Sequence, residues 1–309
     1  MSAGSPRAIL IAGPTASGKS SAALKLALAC NGSIINADSM QVYRELRILS
    51  ARPDEDDEAL VPHYLYGSVS AAQAYSTGMW VENVAATLEM VWSQGRTPII
   101  VGGTGLYFYA LEKGLSPVPE IPLEVREKWR EKLARQGVGA LYDMLEALDS
   151  PMAERLKPND SQRIVRALEV MEATGVSLSQ WHARDHSTPL LAGDDIVRLV
   201  VSIDRQEVYR RCERRLDTMI ERGGLDEVRD LLALNLDPRL PAMKALGVPQ
   251  LSEFLKGEVG LEYAIEKTKT ETRRYAKRQL TWIKRNMIAW KEVSAQQMKE
   301  NSEKILSFI

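Results

Sequence analysis

Ala8-Ile-Leu-Ile-Ala-Gly-Pro-Thr-Ala-Ser-Gly-Lys-Ser20 decides the fold. Ala8 to Ala12 is a continuous apolar run, as expected of a short strand buried on both faces. Gly13 to Ser20 matches G-x-x-x-x-G-K-[ST], and Ser20 to Ala29 continues in an Ala/Leu/Lys pattern of helical type. Strand, Gly-rich loop and helix together form the setting in which this motif holds phosphate. Gly13 and Gly18 permit the tight turn that aims successive N–H groups inward, and the helix N-terminus adds its dipole. The expected phosphate-binding set is therefore Gly13, Pro14, Thr15, Ala16, Ser17, Gly18, Lys19 and Ser20. Lys19 neutralises terminal phosphate charge, and Ser20 offers its hydroxyl to Mg²⁺. The loop does not distinguish a nucleoside triphosphate from a diphosphate, since both satisfy the same donors.

Working outward, Ser33–Ala37, Pro98–Val101 and Arg198–Ile203 read as further strands, with a helix over Gly78–Gln94. Strands alternating with helices imply a parallel α/β sheet. A Pro-punctuated boundary runs from Ser116 to Pro122, and helical pattern follows from Leu123 to about Thr174, ended by Gly175. Residues 176–195 read as loop. After Ile203 only helices are expected, over 205–222, 224–234, 248–256 and 260–291. The acidic run Asp54–Glu58 reads as a solvated loop. The expected organisation is an α/β, P-loop NTPase-like parallel sheet core with C-terminal helices over 1–115 and 196–309. A helical insertion domain occupies 116–195.

Composition narrows the classes. The chain has 309 residues, 45% hydrophobic and 26% charged, which excludes disordered and disulfide-scaffold proteins. No run approaches the roughly 18 apolar residues of a membrane span, and the N-terminal apolar run is too short for a signal peptide, so a cytoplasmic location is expected. Two isolated cysteines, Cys30 and Cys212, and three histidines give no zinc or redox motif. Net charge is −1, so any nucleic-acid footprint must come from local distribution.

An ordinary NTPase would add a carboxylate at the end of a core strand. Asp38 and Asp204 are the two candidates, and Asp204 reads better as the cap of the helix beginning at Arg205. Asp38, on motif chemistry alone, is divided between a general base and a metal-linked or capping carboxylate.

Asp38-Ser-Met-Gln-Val-Tyr43, joined to the phosphate loop, resembles the bacterial tRNA dimethylallyltransferases (tRNA isopentenyltransferases). Further segments agree in order: Ala51-Arg-Pro53, Val61-Pro-His63, Ile100-Val-Gly-Gly-Thr-Gly-Leu-Tyr107 and Asn159-Asp-Ser-Gln-Arg-Ile-Val-Arg-Ala-Leu-Glu169. So do Arg215-Leu-Asp-Thr-Met219 with Gly224-Leu-Asp-Glu-Val228, and Ala276-Lys-Arg-Gln-Leu-Thr-Trp282. The resemblance spans about residues 8 to 290. Departures occur at Gly247-Val-Pro-Gln-Leu251 and Ile48-Leu-Ser-Ala-Arg52, and at Ser20, where the family commonly has Thr.

The resemblance implies transfer of a dimethylallyl group from dimethylallyl diphosphate to N6 of the adenosine 3′ to the tRNA anticodon, position 37, releasing pyrophosphate with Mg²⁺ as cofactor. It implies Asp38 as base, Thr104 in the Gly-rich turn as an orienting group and Arg215 on the diphosphate. It implies tRNA contacts from Asp38, Ser39, Met40, Gln41, Thr104, Arg126, Gln162, Arg163, Ile164, Val165 and Arg166. The target base must be extruded to meet a buried diphosphate. Without the resemblance, Arg215 reads as a solvated helix face, Gln162–Arg166 as surface polar residues pairing with Glu169, and the Thr104 turn is divided between a structural and a substrate-orienting role.

Residues 266–291 carry nine Lys or Arg and two Glu. Arg274, Arg278, Trp282 and Arg285 share one helical stripe, and Arg274, Lys277 and Arg278 are expected on the tRNA backbone. The alternative is a basic solvated helix packed through Trp282 and Leu280. Two rival enzymes are a P-loop kinase using ATP and a prenyltransferase acting on free adenine nucleotides. An RNA-binding protein with a decayed phosphate loop is disfavoured by Lys19, Ser20 and Asp38. A monomer is the default expectation.

Overall fold

A computed structural model describes residues 7–184 and 186–295. The chain divides into two compact units, Met1–Glu112 with Leu190–Ile309, and Lys113–Pro189. In the first unit the elements are β1 (Ala8–Ala12), α1 (Lys19–Ala29), β2 (Gly32–Asn36), α2 (Glu55–Leu60), β3 (His63–Tyr64), α3 (Thr77–Ser93), β4 (Thr97–Gly102) and α4 (Gly105–Lys113). The second holds α5 (Leu123–Leu148), α6 (Ser150–Ala153), α7 (Ser161–Thr174) and α8 (Leu178–Ala183). The first unit resumes with β5 (Ile196–Ser202), α9 (Arg205–Met219), α10 (Leu225–Ala233), α11 (Val248–Leu255), α12 (Leu261–Asn286) and β6 (Lys291–Ser294).

The sheet order is β3-β2-β4-β1-β5-β6, with every neighbouring pair parallel. β1 lies between β4 and β5, and all five of its residues are buried. That is why its sequence is an unbroken apolar run rather than an alternating one. Ile9 and Ile11 pack with Ala22, Ala23 and Leu26 of α1 on one face. Leu10 packs with Trp80, Val84 and Leu88 of α3 and with Phe108 of α4 on the other. Burying each such Ile, Leu or Val contributes about 1.5–3 kcal/mol. This doubly covered sheet fixes the strand ends on which the site is built. A third cluster joins Val42, Tyr43 and Leu46 to Val228, Leu231 and Leu251, so the C-terminal helices pack on the segment after β2.

In the Lys113–Pro189 unit, Trp129, Leu141 and Leu145 of α5 pack on Ile164, Ala167 and Leu168 of α7. Gly175 ends α7 in the left-handed conformation, its N–H returning to the Met171 carbonyl at 2.8 Å. The unit ends before the expected residue 195 because Leu191 is buried in the sheet core and donates its N–H to Leu111 O at 3.0 Å.

Several expectations need correction. The chain does not remain helical after Ile203, because β6 pairs parallel to β5 with Val293 buried. Its four residues include Lys291 and Glu292, too short and too charged to signal a strand. Asp54–Glu58 is not a loop. Asp54 caps α2 by accepting from Asp57 N at 3.0 Å, and the acidic first turn complements the helix dipole. α8 lies inside the segment read as loop, with Ser177 as its cap. Asp204, as expected, caps α9, its carboxylate accepting from Gln206 N and Glu207 N at 2.9 and 3.1 Å.

Candidate active site

The phosphate loop leaves β1 and enters α1 through two residues of positive φ, Ala16 at 60° and Gly18 at 91°. Gly18 precedes α1 without a side-chain cap, so the first N–H groups of the helix are left to an anion. Gly13 is required by space, since a Cβ there would lie 2.8 Å from Ser17 Oγ and 3.2 Å from Val201. Ser17 is fully buried and its hydroxyl has no partner among the described residues. Lys19 Nζ donates to Pro14 O at 3.3 Å, folding the side chain back over the loop. Burial pushes the Lys19 ammonium down to about 8, with Asp38 opposing the shift and Arg215 adding to it.

Arg215 projects from α9 and donates to Thr15 Oγ1. Burial also lowers its pKa, Cys212 and Asp38 opposing. Thr15 receives a second tie, because its N–H donates to Gln279 Oε1 of α12 at 2.8 Å. Gln279 Nε2 in turn donates to Gly103 O at 2.9 Å. The buried Gln279 thus joins the phosphate loop after β1 to the glycine turn after β4.

Asp38 sits just beyond β2. Its N–H donates to Asn36 Oδ1 at 2.8 Å, and its Oδ1 accepts from Met40 N at 3.0 Å. No described residue donates to Oδ2. Asn36 is fully buried and also donates to Asp38 O and Leu65 O at 3.0 and 3.1 Å, fixing the turn. Thr104 N donates to Ala37 O at 3.1 Å, and Thr104 Oγ1 accepts from Ser39 N at 2.9 Å. A side chain at Gly102 would collide with the Ala37 carbonyl, so glycine there lets β2 and β4 deliver Asp38 and Thr104 side by side. The carboxyl ends of parallel strands at a change of strand order are where α/β sheets place ligands.

Beside these groups opens a cavity of about 270 Å³ between the Gly102–Gly105 turn and α12. Phe108, Tyr275, Trp282, Ile283 and Met287 supply apolar lining, and Arg278 stands at it. Burial and the Asp38 carboxylate both raise the Tyr275 phenol pKa, and the same holds for Tyr66 and Tyr107, where burial is again the first cause. All three rings thus stay protonated donors near Asp38.

The structure brings together the phosphate loop, Asp38, Ser39, Thr104 and Arg215. It adds Gln279, Asn36 and Tyr275, which sequence reasoning gave no role, although Gln279 lay inside the quoted Ala276–Trp282 motif. Arg274 is engaged by Glu271 at 2.6 Å, while Lys277, Arg278, Lys284 and Arg285 are exposed with no carboxylate partner among the described residues. Trp282 leaves the solvated stripe and packs against Gly105. On α7, Gln162, Arg163 and Arg166 are on the surface or at its margin, with Arg163 near Asp160 and Arg166 near Glu169, each at 3.5 Å. Ile164 and Val165 are core residues at 0% and 8% exposure, so their side chains support the helix instead of meeting RNA. Arg126 is half-buried, its Nε without a partner among the described residues.

Ser20 is exposed at the second residue of α1. Mg²⁺ keeps waters and shares phosphate oxygens, so one hydroxyl at this position fits the ion. Among the described residues no cluster of three or more His, Cys, Asp or Glu forms a separate metal site. No helix of the described residues is long and apolar enough to cross a membrane.

The chain is similar to known proteins over most of its length. The family model described as IPP transferase matches residues 41–286, and that described as isopentenyl transferase matches residues 6–66. A tRNA dimethylallyltransferase of Rhodopseudomonas palustris is 53% identical over 288 residues, 93% of this chain and 89% of the relative. One of Nitrobacter hamburgensis is 53% identical over 92% of this chain and 89% of its own length. Among solved structures, the tRNA isopentenylpyrophosphate transferase of Bacillus halodurans is 30% identical with a TM-score of 0.68, covering 97% of this chain and 95% of its own. A eukaryotic dimethylallyltransferase acting on tRNA reaches a TM-score of 0.81 at 27% identity, covering 97% of this chain and 77% of its own. With identity at this level over nine-tenths of its length, and with the phosphate loop and glycine turn facing one cavity, the chain belongs to the IPP transferase family.

Proposed function

We propose that this chain transfers a dimethylallyl group from dimethylallyl diphosphate to N6 of the adenosine at position 37 of tRNA, releasing pyrophosphate. The observation that carries the reading is that Gly13 of the phosphate loop, Thr104 of the glycine turn and Ser39, the neighbour of Asp38, line one largely apolar cavity. A diphosphate is held by charge and N–H groups, whereas a five-carbon chain asks only for an apolar wall. Phe108, Ile283 and Met287 form such a wall beside the loop.

The loop N–H groups, Lys19 and Arg215 concentrate positive charge where a diphosphate leaving group develops negative charge. Arg215 donates to the Thr15 hydroxyl and Gln279 accepts from the Thr15 N–H, so the conformation of the loop is set before reaction begins, with that N–H spent on Gln279. Ser20 would hold Mg²⁺, which when bound neutralises diphosphate charge.

The exocyclic amine of adenine is a poor nucleophile because its lone pair is delocalised into the ring. Asp38 accepts its proton as the N–C bond forms and the C–O bond to diphosphate breaks. The Met40 N–H on Oδ1 leaves Oδ2 to take that proton. Thr104, tied to Ser39 and Ala37, keeps the acceptor side in register with the donor. Lys277, Arg278, Lys284 and Arg285 offer the RNA backbone unpaired cations. Arg126, Gln162, Arg163 and Arg166 supply further RNA contacts. The protein acts as a monomer in the cytoplasm.

Expression of the chain in cells lacking N6-dimethylallyladenosine tests this reading. The modified nucleoside is expected in hydrolysed tRNA, and its absence there despite soluble protein would contradict it.

A further inference from the structure

Glu227 lies on α10, outside the groups given a chemical role above. Its carboxylate accepts three consecutive backbone hydrogen bonds. Oε2 takes Arg47 N at 2.7 Å and Ile48 N at 2.6 Å, and Oε1 takes Leu49 N at 2.9 Å. Three N–H groups converging on one carboxylate hold a single backbone conformation, and these bonds are charge-assisted. The segment runs directly into Ser50 and Ala51, with Ala51 in the left-handed region at a φ of 55°. A non-glycine residue keeps that conformation only where its surroundings impose it.

The carbonyls of Ser50 and Ala51 then accept from Gln41 Nε2 at 3.0 and 2.7 Å. Carbonyl oxygens only accept, so they select one of the two orientations of the Gln41 amide. Both amide hydrogens are used, and no described group donates to Oε1. Gln41 is three residues from Asp38, and its own carbonyl is held by Gly67 N at 2.9 Å. With both amide hydrogens spent, the Gln41 side chain has only its oxygen left to bond, as an acceptor.

We propose that Glu227 is a positioning residue for acceptor-base specificity, pinning residues 47–51 so that the Gln41 amide presents its oxygen to an exocyclic amine. The inference rests on the prenyl-transfer reading, because it concerns the base that receives the group. Adenine offers a 6-amino donor to that oxygen. Guanine and hypoxanthine place a carbonyl there, setting acceptor against acceptor. Discrimination comes from the polar group left unpaired by the wrong base.

The test uses the full chain and two anticodon stem-loop RNAs, with adenosine or unsubstituted purine ribonucleoside at the acceptor position. Their affinities are measured for wild type, Gln41→Ala, Glu227→Gln and the double variant, with thermal melting to confirm folding. Wild type is expected to prefer the adenosine RNA by about tenfold. Each single variant should reduce that preference to what Asp38 alone supplies, and the double variant should resemble Gln41→Ala. If Glu227→Gln does not fold, Glu227→Asp, which keeps the charge but shortens the reach, should reduce the preference while leaving affinity for the purine RNA unchanged. An unchanged preference in the Glu227 variants, equal weakening of both RNAs, or a double variant worse than Gln41→Ala would overturn the proposal. Prenyl transfer by wild type is measured alongside. If it transfers to no tRNA, the prenyl-transfer reading fails and this inference with it. If it transfers but the preference does not move, only the inference fails.

Discussion

Gln279 accepts from the backbone N–H of Thr15 at 2.8 Å, although the two residues are 264 positions apart. The bond ties the helix with the basic surface to the phosphate loop. Gln279→Ala removes this bond and the one to Gly103 O, worth about 0.5–1.5 kcal/mol each. Steady-state kinetics should show kcat/KM for dimethylallyl diphosphate falling about ten- to a hundredfold, with a cooperative melting transition retained. Unchanged donor kinetics would remove Gln279 from the site.

Asp38→Asn keeps the shape of the side chain and its acceptor for Met40 N. It removes the proposed base. Turnover is expected to fall by about 10²–10⁴-fold, while tRNA affinity in a direct binding assay stays within about threefold. Weakened tRNA binding with normal turnover would make Asp38 a contact residue instead.

Burial pushes the Lys19 ammonium from 10.5 down to about 8. A diphosphate favours the ammonium form, so above that pH binding must take up a proton. Donor affinity should be level below about pH 7 and weaken as pH rises through 8, approaching about tenfold per unit. Lys19→Arg, charged throughout, should be level to about pH 10. Calorimetry in buffers of different ionisation enthalpy would report the proton uptake. Stability carries the opposite sign: the folded state gives up this proton more readily than the unfolded chain, so this group's contribution rises from about pH 8 toward 10.5.

Lys277 and Arg278 are exposed without carboxylate partners among the described residues, whereas Arg274 is already paired with Glu271. Neutralising Lys277 and Arg278 together should reduce the slope of log affinity against log salt by about 1.5. Arg274→Ala should change it less. An unchanged slope in the double variant would assign α12 to solvent.

The P-loop strand and helix are legible because one apolar run and one fixed spacing encode them locally. Asp38 and Thr104 are legible as motif members, but their pairing depends on Gly102 allowing β4 to approach Ala37, a contact between distant segments. Glu227 and Gln279 each lie inside a motif segment, but their roles carry no local signal, since a Glu or Gln on a helix is ordinary until its partners are known. β6 escapes notice because four residues with two charges form a strand only where β5 offers an open edge. Ile164 and Val165 sit inside a motif whose polar neighbours reach the surface, and only the helical period separates them from Gln162 and Arg166.

The central claim is tested most directly by purified protein with Mg²⁺, labelled dimethylallyl diphosphate and unmodified tRNA, with adenosine monophosphate and ATP as parallel acceptors. Label should enter tRNA at the single adenosine following the anticodon and neither free nucleotide. Label in the free nucleotides alone, or no prenyl transfer with the ATP phosphate passed on, would contradict the account.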